Sequence, residues 1–131
     1  MIMKKQAGFT AIELIVIIVI LVAAGIIFLI QKSDLAAEHR DSNRKTAINA
    51  MYYNLEEVVH PALNGYPATL DVKQLKAMDS DLLKDPNGIL INEADSDYRY
   101  EPSSCTGEVC QHYVLRATLE KEAEFVKRSR N

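Results

Sequence analysis

The chain opens with MIMKKQAGFTAIE (residues 1–13) and continues with the apolar run LIVIIVILVAAGIIFLI (residues 14–30). A helix over residues 14–30 is about 26 Å long at 1.5 Å per residue, which is close to the roughly 30 Å hydrocarbon core of a bilayer. Adding residues 9–12 makes the length sufficient, so the pattern predicts a membrane-spanning helix over residues 9–30. Lys4 and Lys5 precede this helix and favour a cytoplasmic amino terminus.

Glu13 is the unusual residue of this apolar segment. A carboxylate inside a lipid-facing helix costs about 2.5–3.5 kcal/mol on insertion scales and usually marks a function. No Lys or Arg lies within a helical turn of Glu13 inside the span. We therefore expect its partner to come from another chain, from lipid headgroups or from a newly made amino terminus. A plain anchor gives no reason for Glu13, and an ordinary secretory signal has a shorter apolar core with a small-residue cleavage site.

Residues 8–13, with two lysines before them and the apolar run after them, resemble the cleavage and methylation motif of type IV pilins and of type II secretion pseudopilins. The resemblance implies that prepilin peptidase cuts between Gly8 and Phe9 and methylates the new amine of Phe9. It also implies that Glu13 pairs with the Phe9 amine of a neighbouring subunit during assembly, which sets the register of the filament.

The resemblance further implies an α+β pilin fold, in which a long amino-terminal helix packs on a small carboxy-terminal antiparallel sheet. Its expected parts are a leader, a transmembrane and filament-core helix, the soluble half of that helix and a globular head, at residues 1–8, 9–30, 31–62 and 63–131. The implied partners are other copies of the chain in a helical filament, minor pilins, prepilin peptidase, an inner-membrane assembly platform and, before assembly, the lipid bilayer. The subunit is then a single-pass membrane protein with an external head, and later part of an extracellular pilus.

The second half of the long helix has two expected regions. Residues 31–46 are mostly polar and predict a soft stretch, supported by an i,i+4 pair of Asp41 and Lys45. An apolar stripe then follows at helical spacing and predicts the face packed under the head: Ile48, Met51, Tyr52, Leu55, Val59 and Ala62. Pro61 predicts a kink or stop near His60, with Gly65 as the terminator.

The head is expected to contain a short helix and a few strands. Asp71 and Gln74 have the spacing of a capping box and predict a helix over residues 71–78. Three strands are predicted, at residues 98–100, 112–119 and 123–127, with a further short strand at residues 89–91. Tyr98, Tyr100 and the Cys105/Cys110 spacing also resemble the head endings of pilins, more weakly than the leader does.

Cys105 and Cys110 are expected in the loop between the first two of these strands. An exported head would be oxidised, and we predict a disulfide between them. The alternative is a metal site in which His112 is the nearest further ligand.

No enzymatic function is predicted. The three histidines are scattered, and no nucleophile–base spacing or phosphate loop is present, so neither a cofactor nor a metal is expected. The acidic runs at residues 79–81 and 95–97 are interpreted as solvated loops, with calcium binding as the alternative. The net charge of −3 argues against a general nucleic-acid binder, although the basic end at residues 127–130 leaves DNA binding as a weak possibility.

The predicted function is a structural subunit of a type IV pilus, acting in adhesion, motility or DNA uptake. A pseudopilin of a type II secretion system shares the leader, helix and sheet, and is the first alternative. The second, of another class, is a receptor or enzyme held by an uncleaved anchor. The state of the mature amino terminus distinguishes this last case from the other two.

Overall fold

The protein is described here by a computed structural model that covers residues 8–131. The predicted leader, residues 1–8, therefore lies outside the described chain except for Gly8. The chain has an α+β fold, in which one long amino-terminal helix packs on a small antiparallel sheet of four strands, as the sequence predicted. It divides into two compact units at the boundary between Ala36 and Ala37.

The helical part of the chain consists of three consecutive elements. Helix α1 spans Ala11–Asn54, a π-helical turn spans Leu55–Val59, and helix α2 spans His60–Leu63. The two units meet inside α1, and every residue from 8 to 36 is exposed. From Ala37 onward one face of the helix is buried, and it forms one side of the core of the second unit.

The predicted apolar stripe is largely confirmed. Ile48, Met51, Leu55 and Val59 are buried, Tyr52 is half-buried, and only Ala62 at the end is exposed. These side chains pack against the inner face of the sheet and against residues from the connecting segment, the buried members of which are Tyr66, Leu75, Leu83, Ile91, Tyr98, Tyr100, Tyr113, Leu115 and Ala117. The four tyrosines give this small core much of its apolar area.

The helix does not end where proline and glycine predicted it would. Pro61 is accommodated after the widened π-helical turn, and helical structure continues to Leu63. Proline removes a hydrogen-bond donor and crowds the preceding turn, and the π-helical turn lies directly before it in the chain. The helix terminates at Asn64, whose φ is 53° and whose N–H donates to the His60 carbonyl. The terminator is thus one residue earlier than the predicted Gly65.

The sheet has β3 at its centre. The strands are β1 (Tyr66–Pro67), β2 (Tyr98–Thr106), β3 (Val109–Ala117) and β4 (Phe125–Arg128). All pairings are antiparallel; β2 lies on one side of β3, and β1 and β4 lie on the other. The predicted strands were placed correctly, but β2 and β3 extend further than expected toward the turn that joins them. The predicted strand at residues 89–91 is only a single bridge between Lys84 and Leu90.

The cysteines lie inside a β-hairpin. Cys105 on β2 pairs directly with Cys110 on β3, and the two form the predicted disulfide. The expectation that they occupy a loop was wrong, because Gly107, with φ of 66°, permits a tight turn that lets both strands run to residues 106 and 109. By the chain-entropy model this short-loop disulfide contributes about 2 kcal/mol.

The segment between β1 and β2 has little regular structure. The predicted helix at residues 71–78 is wrong: Gln74 makes a single turn, its N–H donating to the Asp71 carbonyl, and the turn does not propagate. A single turn gains too few hydrogen bonds to offset nucleation of a helix. A turn follows Asp85, whose buried carboxylate accepts the N–H groups of Asn87, Ile89 and Asp97.

Candidate functional site

The beginning of α1 carries the residues that the sequence singled out. Gly8 and Phe9 precede the helix, and Phe9 is 80% exposed. Thr10 is placed as the N-cap: its N–H and hydroxyl donate to Glu13 Oε2 at 2.8 and 2.9 Å, and its Oγ1 accepts the Glu13 N–H at 3.4 Å. This reciprocal pattern is a capping box, which satisfies otherwise unpaired donors at the helix start.

The capping box corrects the expectation that the partner of Glu13 must come from outside the segment. Thr10 partly satisfies the Glu13 carboxylate within the same chain, and the spacing T-x-x-E was visible in the sequence. Nevertheless, among residues 8–131 no Lys or Arg side chain pairs with Glu13. Thr10 therefore supplies hydrogen bonds, and within the described part of the chain the negative charge of Glu13 has no cation beside it.

The apolar run presents an unpaired surface all round. Helix α1 is long and apolar enough to span a membrane, by length and composition, and its apolar window is not buried at all inside the structure. Phe9, Ile12, Glu13 and Val16 line a shallow groove along the start of this surface together with Ile17. Exposed apolar area of this extent normally marks contact with lipid or with another protein.

Comparison with known proteins adds no name to this geometry. No family model, no curated protein and no solved structure matches the chain.

A charged cluster in the second unit was not predicted. Arg44, whose side chain is 4% exposed, donates to Asp41 at 2.9 Å, to Asp97 at 2.8 Å and to Glu120 at 2.8 Å. Arg40 adds two hydrogen bonds to Glu120 at 2.6 and 2.7 Å. We call Arg40, Asp41, Arg44, Asp97 and Glu120 the ion cluster. It joins α1 to the start of β2 and to the loop before β4.

The polar stretch that was predicted to be a soft part of the helix is regular α-helix, and the ion cluster holds its carboxy-terminal part against the sheet and its loops. The expected Asp41–Lys45 pair is wrong: Asp41 bonds to Arg44, and Lys45 bonds to Glu122 at 2.6 Å. Asp41 also accepts the backbone N–H groups of Glu120 and Lys121. A polar helical segment is stable here because its charges meet partners on the head and not only solvent.

Two carboxyls of the ion cluster have lowered pKa values. Hydrogen bonds from Arg40 and then Arg44 lower the pKa of Glu120 to about 2. Burial alone raises the pKa of Asp41, but the backbone hydrogen bonds from Glu120 and Lys121 and the bond from Arg44 outweigh it, so the net shift is downward. Both carboxyls therefore release their protons more readily in the folded chain than in the unfolded one.

This lowering predicts how stability depends on pH. The unfolded chain binds more protons than the folded chain below the ordinary pKa of 4.5, so the contribution of Glu120 is complete above that pH and is lost as pH falls toward about 2. We expect the urea midpoint of the full chain in detergent to fall over this range. Glu120→Gln should start lower at neutral pH and lose less on acidification. Parallel pH profiles for the two proteins would contradict the assignment.

A second buried carboxylate organises the other end of the core. Glu56, in the π-helical turn, accepts the phenol groups of Tyr66 at 3.1 Å and Tyr113 at 2.8 Å, and the N–H of Arg130 at 3.3 Å. Burial, followed by the bond to Glu56, raises the pKa of Tyr66 to about 12 and that of Tyr113 further still. These phenols stay protonated and act as donors, so the arrangement is structural.

The carboxy-terminal basic residues are partly attached to the helix. Arg130 pairs with Glu57 at 2.7 Å and lies over the ring of Tyr52, as does Lys127. Lys127 and Arg130 therefore contact the helix and are not free in solvent. DNA binding by the basic end stays a prediction.

The two acidic runs differ in how far they match the solvated loops that were expected. Residues 79–81 are exposed, as predicted, and Asp79 accepts the Asp81 N–H at the start of a short 3-10 helix, Ser80–Leu83. At residues 95–97 the expectation was wrong for Ser96, which is buried, and for Asp97, which belongs to the ion cluster. Within residues 8–131 no group of three or more His, Cys, Asp or Glu side chains is arranged to hold a metal ion. The structure therefore offers no support for the calcium alternative in the described chain.

Proposed function

We propose that this chain is a type IV pilin-like subunit. In this proposal the chain is cut after Gly8 and polymerised into a filament through its amino-terminal helix. The observation that carries the proposal is the combination of an entirely exposed apolar helix with a carboxylate four residues beyond Phe9. An apolar surface alone is sufficient for a lipid anchor. A filament also requires a specific interaction that fixes the axial position of each helix against its neighbour.

Cleavage after Gly8 would create the group that makes such an interaction possible. It creates a positive amine at Phe9, and the Glu13 carboxylate has hydrogen bonds from Thr10 but no cation among residues 8–131. At 4 Å and an effective dielectric constant near 20, an amine and a carboxylate attract by about 4 kcal/mol before desolvation is subtracted. Because desolvation offsets much of such a gain, the pair selects register, while the apolar surface drives association.

The mature amino terminus tests this proposal directly. The chain should be expressed in a host that has prepilin peptidase, and the membrane and filament fractions analysed by intact-mass and peptide mass spectrometry. We expect a chain that begins at Phe9 and carries one methyl group on its amine. Gly8→Val should keep the leader, because glycine uniquely allows close approach of an enzyme to the backbone.

The opposite result is equally clear. An intact Met1 on subunits at the cell surface would reject the filament proposal in favour of an uncleaved membrane anchor. A processed chain that accumulates only together with a secretin and secretion components would assign it to a secretion pseudopilus instead.

A further inference from the structure

Strand β4 forms an edge of the sheet, and the structure shows which of its backbone groups face β3 and which face outward. The N–H of Ser129 donates to the carbonyl of Tyr113 at 3.1 Å, continuing the register of β4 with β3. In an antiparallel pair, alternate residues direct both backbone groups toward the neighbour. Residues 125, 127 and 129 therefore face β3, and the backbone groups of Val126 and Arg128 point away from the sheet.

These outward groups are open. Among residues 8–131 no hydrogen-bond partner is found for the backbone N–H or C=O of Val126 or Arg128. The next outward N–H, that of Arg130, is taken by Glu56, which closes the edge at that point. The open part of the edge therefore ends there and includes all of β4.

The opposite edge of the sheet is closed by contrast. On β2 the outward groups of Tyr98 and Tyr100 bond to the backbone and side chain of Asn92 at 3.2 and 2.8 Å. Pro102 has no N–H, and Ser104 has a positive φ of 53° that interrupts a flat edge. Folded proteins commonly block exposed edges by such devices. Within the described residues none of these three devices occurs at Val126 or Arg128, so the outward backbone groups of both are available for pairing.

When two copies of β4 are placed side by side and antiparallel, their side-chain charges are complementary in one register. Val126 and Arg128 alternate with β4's inward-facing residues and so share the outer face of the sheet. Glu124, just before β4, lies on the same face, where it accepts a hydrogen bond from Arg116, the residue opposite Val126, at 3.0 Å. In a two-fold antiparallel pair centred on Val126, Val126 lies opposite the partner's Val126. Arg128 then lies opposite the partner's Glu124, and Glu124 opposite the partner's Arg128. Both ends of the pairing acquire opposite charges.

Registers displaced toward the carboxy terminus lack this property. Moving the two-fold axis by one residue places Lys127 opposite the partner's Lys127, and moving it by two places Arg128 opposite the partner's Arg128. Like charges directly opposite one another destabilise a strand pair. The sequence of β4 therefore favours the Val126-centred register over these.

We propose that two copies of this chain associate through their β4 strands in the Val126-centred antiparallel register. The pairing joins the two sheets edge to edge and uses the same residues of both copies, as a two-fold interface requires. Its small area makes it a weak, transient contact. It requires neither cleavage after Gly8 nor Glu13, so this proposal and the filament proposal stand or fall separately.

A single engineered thiol reports the register. The chain has two cysteines, and they already form the disulfide between β2 and β3. Val126→Cys in the full chain in detergent micelles therefore adds the only thiol, about 5.5 Å between Cα atoms from its copy in the paired register, within reach of a disulfide. We expect covalent dimers under mild oxidation.

Charge reversal supplies the matched controls. Adding Arg128→Glu or Glu124→Arg to Val126→Cys should reduce the rate of dimer formation about tenfold or more, because each reversal creates two like-charge pairs. The double reversal should restore dimer formation, because it re-creates opposite charges across the two-fold axis. A mixture of the two single-reversal proteins should form mixed dimers.

Two results would overturn the pairing. One is a rate of dimer formation that is the same in all four charge backgrounds, which indicates random collision in the micelle. The other is an unmodified chain whose Val126 and Arg128 amides exchange with solvent at rates independent of protein concentration. The second measurement needs no substitution and so does not depend on the variants folding.

Discussion

Arg44→Met should lower the free energy of unfolding by about 3 kcal/mol, at the lower end of the range for breaking a buried ion pair. Removal of the guanidinium leaves the 4%-exposed Asp41 side chain without its cation and removes the bonds to Asp97 and Glu120. The loss is not larger because Asp41 retains two backbone N–H donors and Glu120 retains Arg40. Urea unfolding of the full chain in detergent, followed by the near-ultraviolet circular dichroism of the buried tyrosines, measures the effect.

Arg40→Met is the matched control. It makes the same chemical change one helical turn away, on a side chain that is 42% exposed and bonds to Glu120 alone. Exposed ion pairs contribute about 0–1 kcal/mol, so this variant should lose less than 1 kcal/mol. If both variants lose the same free energy of unfolding, burial of Arg44 in the ion cluster adds nothing to stability, and the loss reflects only the removal of one positive charge.

Glu13→Gln should insert in the membrane and be processed normally but should assemble few filaments. Glutamine can still accept the Thr10 N–H in a capping box, so the helix start is preserved. The substitution removes only the charge that, in the filament proposal, meets the Phe9 amine of a neighbour. The ratio of subunit in sheared filaments to subunit in membranes measures assembly, and we expect it to fall by at least about tenfold.

Thr10→Val separates the two roles of the segment. It removes the hydroxyl that bonds to Glu13 at 2.9 Å but keeps the charge. Loss of an N-cap costs about 1 kcal/mol at a helix end, and an apolar helix in lipid tolerates that loss. Thr10→Val should therefore assemble better than Glu13→Gln. Normal filaments from Glu13→Gln together with few from Thr10→Val would show that capping, not charge, is what Glu13 contributes.

The sequence predicted the parts of the fold in which one physical signal dominates. The apolar run, the stripe that includes Ile48 and Met51, and the positions of the strands all follow from periodicity. The prediction of a helix at residues 71–78 was wrong. The hydrogen bond between Asp71 and Gln74 that it rested on is present, but it holds a single turn, which is too short to nucleate a helix. Placement of the cysteines failed because a two-residue turn at Gly107 shortened the loop around them.

The ion cluster could not be predicted because it is non-local. Asp41 and Arg44 meet partners 53 to 80 residues away along the chain. From their own segment of sequence, Asp41 and Arg44 look like part of a solvated helical face. They nevertheless lie at helical spacing between Ala37 and Ile48, on the same buried face of α1. Polar residues that extend a buried stripe were the available signal. In the amino-terminal segment the capping box was equally visible in the sequence as T-x-x-E.

The π-helical turn at Leu55–Val59 has a consequence for how this helix tolerates insertion and deletion. Successive residues of an α-helix point about 100° apart, so a narrow buried face rarely accepts two neighbours. Where this turn begins, three successive residues are buried, Asn54, Leu55 and Glu56. The turn is equivalent to one additional residue lodged in an otherwise regular helix. Removing one residue other than Glu56 from this turn would leave a regular α-helix with the flanking residues near their present positions, so the carboxylate shared by Tyr66 and Tyr113 would stay in place. Removing a residue from the regular part of α1 would instead rotate the two sides of the deletion by about 100° relative to each other.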